Sequence, residues 1–150
     1  MFRETNKISN LSASEFLYLL SKGEISISEY MNSCIENIDL YERNVKAWES
    51  INIKNLKKIA IQKDEYLSKW KKNKNNFVSY YKEEKKDKII PFQLNLPNRL
   101  FGIPVAIKDI FNTYEMPTRF GSKIYKNHEA GNDARVVTNL SREGSIIAGK

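Results

Sequence analysis

Residues 100–110 are the segment that most restricts how this chain can fold. They read LFGIPVAIKDI and are apolar or small except for one adjacent pair, Lys108 and Asp109. A run that is apolar on both alternating faces is typical of a strand covered on both sides, as in parallel sheets flanked by helices. Pro104 has no backbone N–H to donate to a ladder, so we expect the paired part of the strand to begin at about Val105.

A second buried strand is predicted over residues 145–149, which read SIIAG. Before it, Asn132 and Asp133 are expected to cap a short helix that ends at Gly144. A strand, a helix and a strand in this order predict a right-handed crossover between parallel strands. Residues 110–131 show no periodicity, and an irregular stretch of that length inside a domain is more often functional than not.

Two capping boxes predict the starts of two helices in the first part of the chain. Ser12 is followed three residues later by Glu15, and Ser26 by Glu29. In each box the serine hydroxyl accepts a first-turn N–H while the glutamate reaches back to the serine N–H. Gly23 is expected to end the first helix, because glycine adopts the left-handed conformation of a helix terminus without strain.

Three further predictions concern the middle of the chain. Residues 45–51 are a candidate short strand, and a third helix is expected from about Asn52. That helix is expected to run out over residues 71–76 into a solvated loop or a frayed end. Cys34 lies in the apolar stripe of the second helix, which favours a buried structural thiol over a nucleophile.

The composition limits the class of protein and the kind of chemistry. The 150 residues are 41% hydrophobic and 29% charged, which is typical of one globular domain. No apolar run approaches the roughly 20 residues that span a bilayer, so we expect a soluble, cytoplasmic protein without a membrane partner. With a single cysteine, Cys34, and a single histidine, His128, we expect no disulfide, no metal site and no cofactor.

The positive charge is concentrated in one stretch. The chain carries a formal net charge of +7, and residues 69–88 hold eight lysines against three acids, leaving only +2 for the rest. Aromatic residues alternate with these lysines, a pattern that single-stranded nucleic acids can bind. A solvated connector is the preferred interpretation, so nucleic acid is not expected as a partner. A basic interaction module at residues 69–88 stays as an alternative.

Lys108 is the residue with the most specific chemistry. On a strand its side chain shares a face with Ala106 and Ile110, while Asp109 points to the other face. If both faces are covered, the unpaired ammonium tends to lose its proton, and a buried lysine of this kind can act as a general base near neutral pH. The alternative is that Lys108 lies at the strand end and reaches solvent.

Residues 100–109, LFGIPVAIKD, closely resemble the N-terminal active-site segment of the amidase signature family, approximately L-x-G-I-P-V-x-I-K-D. The family's pattern continues in order through much of the rest of the chain. It covers residues 11–15, 22–26, 116–122, 133–137 and 140–150. The order of these motifs makes the resemblance specific, and only the lysine-rich connector lies outside it.

The resemblance implies an α/β fold: the N-terminal part of an α/β/α sandwich with a mixed sheet, preceded by two or three helices. It also implies cleavage of a carboxamide C–N bond by a Ser–cis-Ser–Lys triad, in which Lys108 matches the catalytic lysine. Lys150 matches the lysine of the family's G-K-T-N element, for which a structural role is expected. Ser122 follows Gly121 and matches the family's T-x-G-S element, not the nucleophile turn. Arg119 and His128 fall in the irregular loop, where structural or solvent-facing roles are expected.

The Gly/Ser-rich segment that carries both serines in this family has no match here, since all glycines of the chain are isolated. We therefore expect residues 1–150 to be an incomplete amidase-signature domain that continues beyond residue 150 and is inactive alone. Residues 1–72 are expected to be mainly helical, 73–98 to form the connector and 99–150 to begin the sheet core.

The resemblance implies a small-molecule amide as the substrate and leaves homo-oligomerisation open. Within the same family, the alternative is the amidase subunit of a tRNA-dependent amidotransferase, which works with partner subunits. The loop at residues 108–118 resembles that of stand-alone amidases more, so an amide hydrolase is the leading hypothesis.

Overall fold

The computed structural model describes residues 7–78 and 94–150, with the backbone alone for residues 74–78. Four α-helices and two β-strands make up the described fold, together with 3₁₀ turns at Lys7–Asn10 and Lys123–Tyr125. The helices and strands, in chain order, are α1 (Ala13–Lys22), α2 (Ile27–Val45), α3 (Ile53–Val78), β1 (Pro104–Ala106), α4 (Arg135–Arg142) and β2 (Ile146–Gly149). The predicted α/β class is thereby confirmed.

Both predicted capping boxes are present, at the starts of α1 and α2. The Glu15 N–H donates to the Ser12 hydroxyl at 3.3 Å, and the Glu15 carboxylate accepts the Ser12 N–H at 2.8 Å. The same two bonds at Ser26 and Glu29 measure 3.1 and 2.8 Å. Gly23 ends α1 in the left-handed conformation, with φ of 78°.

The predicted strand over residues 45–51 is wrong. Helix α2 extends to Val45, the first residue of this region. Lys46 then ends the helix in the left-handed conformation, with φ of 51°. The Glu42 carboxylate accepts the next two backbone N–H groups, so a side chain satisfies donors that a strand would offer to a neighbour. Only Ile51 pairs with the sheet, through an isolated antiparallel bridge to Gly149.

Helix α3 is longer than predicted. It begins after Asn52, whose side chain accepts a first-turn N–H at 3.0 Å, and it continues to Val78, so residues 71–76 are helical rather than a loop. Lys71 supplies a reason, because its ammonium donates to the carbonyls of Leu20 and Ser21 at 3.2 Å each. These bonds hold this part of α3 against the carboxyl end of α1, where a positive charge is favourable.

The hydrophobic core lies between the helices and the sheet. Phe16 and Tyr30 stack at 4.1 Å between ring centroids. The buried residues of this core are Phe16, Leu17, Leu20, Ile25, Ile27, Tyr30, Met31, Ile35, Leu56, Ala60, Leu67, Phe101, Ile103, Ile146 and Ala148. Asp64 of α3 reinforces the α2 contact by accepting the N–H groups of Ile27 and Ser28 at 2.8 and 2.9 Å.

Strands β1 and β2 are parallel, as the crossover predicts. Pairing begins at Pro104 opposite Ile146, one residue earlier than expected, and the register shifts after Val105. The proline is tolerated because the first bond uses the preceding carbonyl: the Ile146 N–H donates to Ile103 O at 2.7 Å. The strand ends at Ala106, before the Lys–Asp pair that the sequence placed inside it.

Helix α4 lacks the predicted side-chain cap. Ala134 occupies the N-cap position, and no side chain accepts there. The carboxylate of Asp133 accepts the Tyr114 N–H instead, at 2.7 Å, because the long loop crosses the start of the helix. After the helix, Gly144 has φ of 91° and its Cα faces Phe101 so closely that a Cβ would lie 3.0 Å from the Phe101 backbone.

None of the helices in the described ranges combines the length and apolarity needed to cross a bilayer.

Candidate functional site

Lys108 lies in a turn just past the end of β1. The Lys108 carbonyl accepts the N–H groups of Ile110 and Phe111 at 2.8 and 3.0 Å, while the preceding Ile107 N–H still bonds to Gly149 O of β2 at 2.9 Å. The Lys108 side chain is exposed. The predicted burial of this ammonium between two covered faces is therefore wrong for the described residues, and the alternative of a strand-end lysine that reaches solvent is the one observed.

The predicted alternation of side chains is nevertheless present. Ala106, Lys108 and Ile110 are exposed, whereas Ile107 and Asp109 between them are buried. The segment thus keeps the two-residue period of an extended chain beyond the last ladder bond. Lys108 belongs to the open face, and Asp109 belongs to the covered one.

The Asp109 carboxylate is the anchor on the covered face. Both carboxylate oxygens lie 3.1 Å from the backbone nitrogen of Arg119, which donates to them, and one lies 3.2 Å from Lys150 Nζ. Burial raises the pKa of Asp109, but the hydrogen bonds from Arg119, Lys150 and Gly121, together with the Lys150 charge, outweigh burial. The pKa of Asp109 consequently lies below its ordinary value, and the group is a carboxylate at neutral pH.

Lys150 is the buried lysine of the structure. Its side chain is 0% exposed, and Nζ donates to Thr118 Oγ1 at 2.6 Å and to Pro117 O at 3.0 Å, besides pairing with Asp109. The Lys150 backbone is fixed as well, because its N–H donates to Ser50 O at 2.8 Å. An ammonium has three protons to donate, and here three acceptors surround it, as a structural role requires.

The Asp109–Lys150 pair was not predicted from the sequence. A signal was available, since a lone acid inside an apolar run is costly to bury without a cationic partner. The partner could not be identified from spacing, because it lies just after β2, at the other end of the crossover. Hydrophobic periodicity predicts which residues of one helix or strand share a face. It does not predict which elements contact each other.

The long loop after Lys108 is held by bonds to distant backbone. The Thr118 N–H donates to His128 O at 3.0 Å, and the Phe120 N–H donates to Asp109 O at 3.1 Å. Phe120 itself has φ of 54°, a conformation that is uncommon outside glycine and often marks a constrained site.

Arg119, Ser122 and His128 have structural contacts in this loop. Arg119 forms an ion pair with Glu49 and donates through Nε to a loop carbonyl at 3.0 Å. The Ser122 hydroxyl caps the short 3₁₀ turn. The His128 ring lies 6.0 Å from the Phe120 ring, measured between centroids. The contacts of Arg119 and His128 agree with the structural roles expected from the sequence.

Several large apolar side chains are exposed in the chain that follows Lys108. The residues after Lys108 include large side chains that are between 40% and 88% exposed. They are Ile110, Phe111, Tyr114, Phe120, Ile124 and Tyr125. Two of them, Ile110 and Phe111, lie within three residues of Lys108 in the chain, so exposed apolar side chains directly follow the lysine.

Three other features considered in the sequence are less informative. Cys34 is half-buried, and burial raises the pKa of its thiol although a hydrogen bond with Tyr30 opposes the shift, so it is a poor nucleophile at neutral pH. The described residues contain no group of three His, Cys, Asp or Glu side chains arranged for a metal. The second half of the basic stretch, residues 79–88, falls outside the described residues, and residues 74–78 are described by their backbone alone.

The sequence model of the Amidase family matches residues 72–150, which include β1, Lys108, the long loop, α4 and β2. The chain belongs to the Amidase family. A curated relative, a glutamyl-tRNA(Gln) amidotransferase subunit from Geobacillus kaustophilus, is 30% identical over 139 residues, which is 93% of this chain and 24% of the relative. The chain thus spans about a quarter of the length of this relative.

Solved amidases share the fold. Fatty acid amide hydrolase matches with a TM-score of 0.76 at 17% identity, over 100% of this chain and 22% of that one. The peptide amidase of Stenotrophomonas maltophilia matches with a TM-score of 0.69 at 19% identity, over 96% and 25% of the two chains. At these identities the likeness establishes the fold, and it agrees with the α/β architecture described above.

Proposed function

We propose that this chain is the N-terminal portion of a hydrolase that cleaves carboxamide C–N bonds, with Lys108 as the base of a Ser–cis-Ser–Lys triad. The observation that carries the proposal is the position of Lys108 within the family's motif, at the carboxyl end of β1 and on the open face of the segment. Ligands of α/β proteins commonly bind beyond the carboxyl ends of parallel strands.

In this proposal Lys108 accepts the proton of a serine nucleophile and later donates it. The neutral amine accepts the proton, relayed by a bridging serine, as the nucleophile attacks the amide carbonyl. The proton is then passed to the leaving nitrogen when the C–N bond breaks, and water hydrolyses the resulting ester. Backbone N–H groups of a glycine-rich turn would stabilise the oxyanion.

In this proposal the two serines come from chain other than these 150 residues. No Gly/Ser-rich segment is present in the sequence, and Lys108 and several apolar residues that follow it form exposed surface. We propose that a segment carrying the serines covers this surface and excludes water from Lys108, since desolvation favours the uncharged amine that the mechanism needs. Residues 1–150 alone would then be inactive. A cytoplasmic location is part of the proposal, because a lone free cysteine suits a reducing compartment.

The first test is to read the coding sequence past codon 150. A Gly/Ser-rich segment downstream supports the proposal, and a stop codon without such a segment contradicts it. The second test is turnover of simple amides by the encoded protein and by Lys108→Met. Methionine keeps the length of the side chain and removes the amine, so loss of turnover with unchanged folding is expected. Lys123→Met, at an exposed lysine of the long loop, is the control.

A role within an amidotransferase is the second candidate, and a specific observation favours it. The relative that matches 93% of the chain is named as one of the subunits of a glutamyl-tRNA(Gln) amidotransferase. Such a protein would pass ammonia released from an amide to another acceptor and would work with partner subunits. Assays of the encoded protein on simple amides and on glutamine, with and without candidate partners, separate the two. Activity on simple amides without partners favours the hydrolase.

A further inference from the structure

We propose that the Asp109–Lys150 ion pair positions Lys108. Neither member is offered as a catalytic residue, because both lie on the covered side of the segment while Lys108 lies on the open side. The inference rests on the proposed function, since a role for Lys108 in amide cleavage is what gives its placement a purpose. It adds two positioning residues to that role.

Lys150 is held rigidly. Its ammonium has three acceptors within 3.2 Å, contributed by Asp109, Thr118 and Pro117. Its backbone is paired with Ser50 on both sides, because the Lys150 N–H donates to Ser50 O at 2.8 Å and the Ser50 N–H donates to Lys150 O at 3.1 Å. A fully satisfied ammonium on a fixed backbone has one arrangement, and a carboxylate bound to it is fixed as well.

The fixed Asp109 carboxylate constrains its neighbour. Lys108 and Asp109 are adjacent at the turn, and the first is exposed while the second is buried. When Lys150 and the Arg119 N–H hold the Asp109 carboxylate on the covered face, Lys108 is held on the open face. A rotation of this segment that exposed Asp109 would bury Lys108 in its place and would break both contacts.

The same residue closes the loop. The Asp109 carboxylate accepts the Arg119 N–H, and the Asp109 carbonyl accepts the Phe120 N–H at 3.1 Å. One residue therefore fixes both ends of the loop that starts at Lys108. Between these two ends the chain is held at its middle as well, because the Tyr114 N–H donates to Asp133 and the Ala134 N–H donates to Asn112 O, so Asp109 sets where the loop begins and ends.

The ion pair is better suited to orientation than to stability. Burying two charges costs desolvation free energy that roughly cancels their attraction, so apolar residues of similar size would hold the fold as well. A carboxylate and an ammonium add direction, because their hydrogen bonds require one geometry. Retaining the charged pair next to Lys108 is what a positioning role predicts.

The test uses the protein as its gene encodes it, with Asp109→Asn and Lys150→Met as the test variants. Asp64→Asn is the matched control, because Asp64 is also a partly buried carboxylate that accepts backbone N–H groups, and it lies in α3. The readout is the rate at which an amine-acylating reagent modifies Lys108, followed by peptide mass spectrometry across a range of pH. Conditions are chosen in which every variant is folded by circular dichroism.

Both test variants are expected to change the pH profile of Lys108 acylation, while Asp64→Asn lowers the melting temperature and leaves that profile unchanged. A folded Asp109→Asn protein with the wild-type profile would overturn the inference. If the charge variants do not fold, Thr118→Val gives the same test, because it removes one acceptor of the ammonium and keeps both charges. An unchanged profile in Thr118→Val then counts against the inference.

Turnover of an amide by the same proteins distinguishes this inference from the proposed function. Asp109→Asn is expected to lower kcat about 100-fold with little change in KM, the cost of a small misplacement of a reacting group. Lys150→Arg should recover part of the loss that Lys150→Met causes. If Lys108→Met retains wild-type turnover, the proposed function is wrong. If Lys108→Met is inactive but Asp109→Asn keeps its kcat, only the positioning inference is wrong.

Discussion

The helices of residues 13–78 and the loop of residues 107–121 are held by different kinds of contact. The capping contacts that start α1 and α2 join residues three apart in the sequence. The loop is held by contacts between distant residues, such as Asp109 with Lys150 and Thr118 with His128. The starts of α1 and α2 are therefore specified locally, although Asp64 and Lys71 also join α3 to α2 and α1. The geometry around Lys108 depends on Lys150, which follows β2.

This difference predicts that the two regions respond separately to substitution. A change in the helical core should lower the stability of the whole fold, because α1, α2, α3 and the sheet share that core. A change in the Asp109–Lys150 pair should release the loop first. Four substitutions, taken from the largest expected effect to the smallest, can separate the regions or show that they behave as one.

The largest effect is expected for Phe16→Ala. Phe16 is 0% exposed and stacks on Tyr30, and truncating a buried phenylalanine lowers the free energy of unfolding by about 4 kcal/mol. Tyr18→Ala in the same helix is the control, because Tyr18 is 53% exposed and such surface changes stay within about 0.5 kcal/mol. Urea denaturation measures both, and equal losses would contradict the assignment of the core face.

Lys150→Met should have the next largest effect, about 3 kcal/mol, because it leaves the Asp109 carboxylate partly buried without its cation. Hydrogen exchange then tests the comparison directly. Amides of residues 110–121 should lose protection while those of α2 keep theirs. A uniform loss of protection in both regions would show that the loop and the helices unfold together.

Ser26→Ala tests the local character of the helical region. It removes the hydroxyl that caps α2, which should lower the free energy of unfolding by about 1 kcal/mol. Ser68→Ala is the control, because Ser68 is exposed inside α3 and alanine is the better helix former there. Thermal unfolding should show a lower melting temperature for the first variant alone. A loss of loop protection in Ser26→Ala would contradict the separation of the regions.

The smallest change expected is a pH dependence due to Asp109. Its pKa is lower in the folded protein than its ordinary value, so the stabilisation is fully present above that value, about 4, and is lost as the pH falls through the folded pKa. Urea denaturation at pH 6 and at pH 3 should show a smaller acid-induced loss in Asp109→Asn than in the wild type. Equal losses would contradict the assigned direction.

The sequence predicted the features whose causes are local. The capping boxes at Ser12 and Ser26, the terminating Gly23 and the parallel crossover are all present. The predicted strand at residues 45–51 failed because the helix continues and Lys46 ends it in the left-handed conformation. No periodicity in the sequence separates a strand from the end of a long helix over so few residues.

The candidate site was predicted in part. The alternation of Lys108 and Asp109 between two faces followed from the period of extended chain, and the structure has it. Which face is covered could not be predicted, because that depends on how the crossover packs. The buried ammonium is that of Lys150, whose acceptor Pro117 O lies 33 residues earlier in the chain. Contacts of that separation are set by tertiary packing.

The central claim is that Lys108 is presented on an open face because a buried Lys150 holds its neighbour. Acylation of the native 150-residue chain by an amine-specific reagent, with the modified lysines identified by mass spectrometry, tests this claim most directly. The account predicts rapid modification at Lys108 and protection at Lys150, which becomes reactive only when the chain is unfolded in urea. Modification of Lys150 at the rate of Lys108 under native conditions would contradict the account.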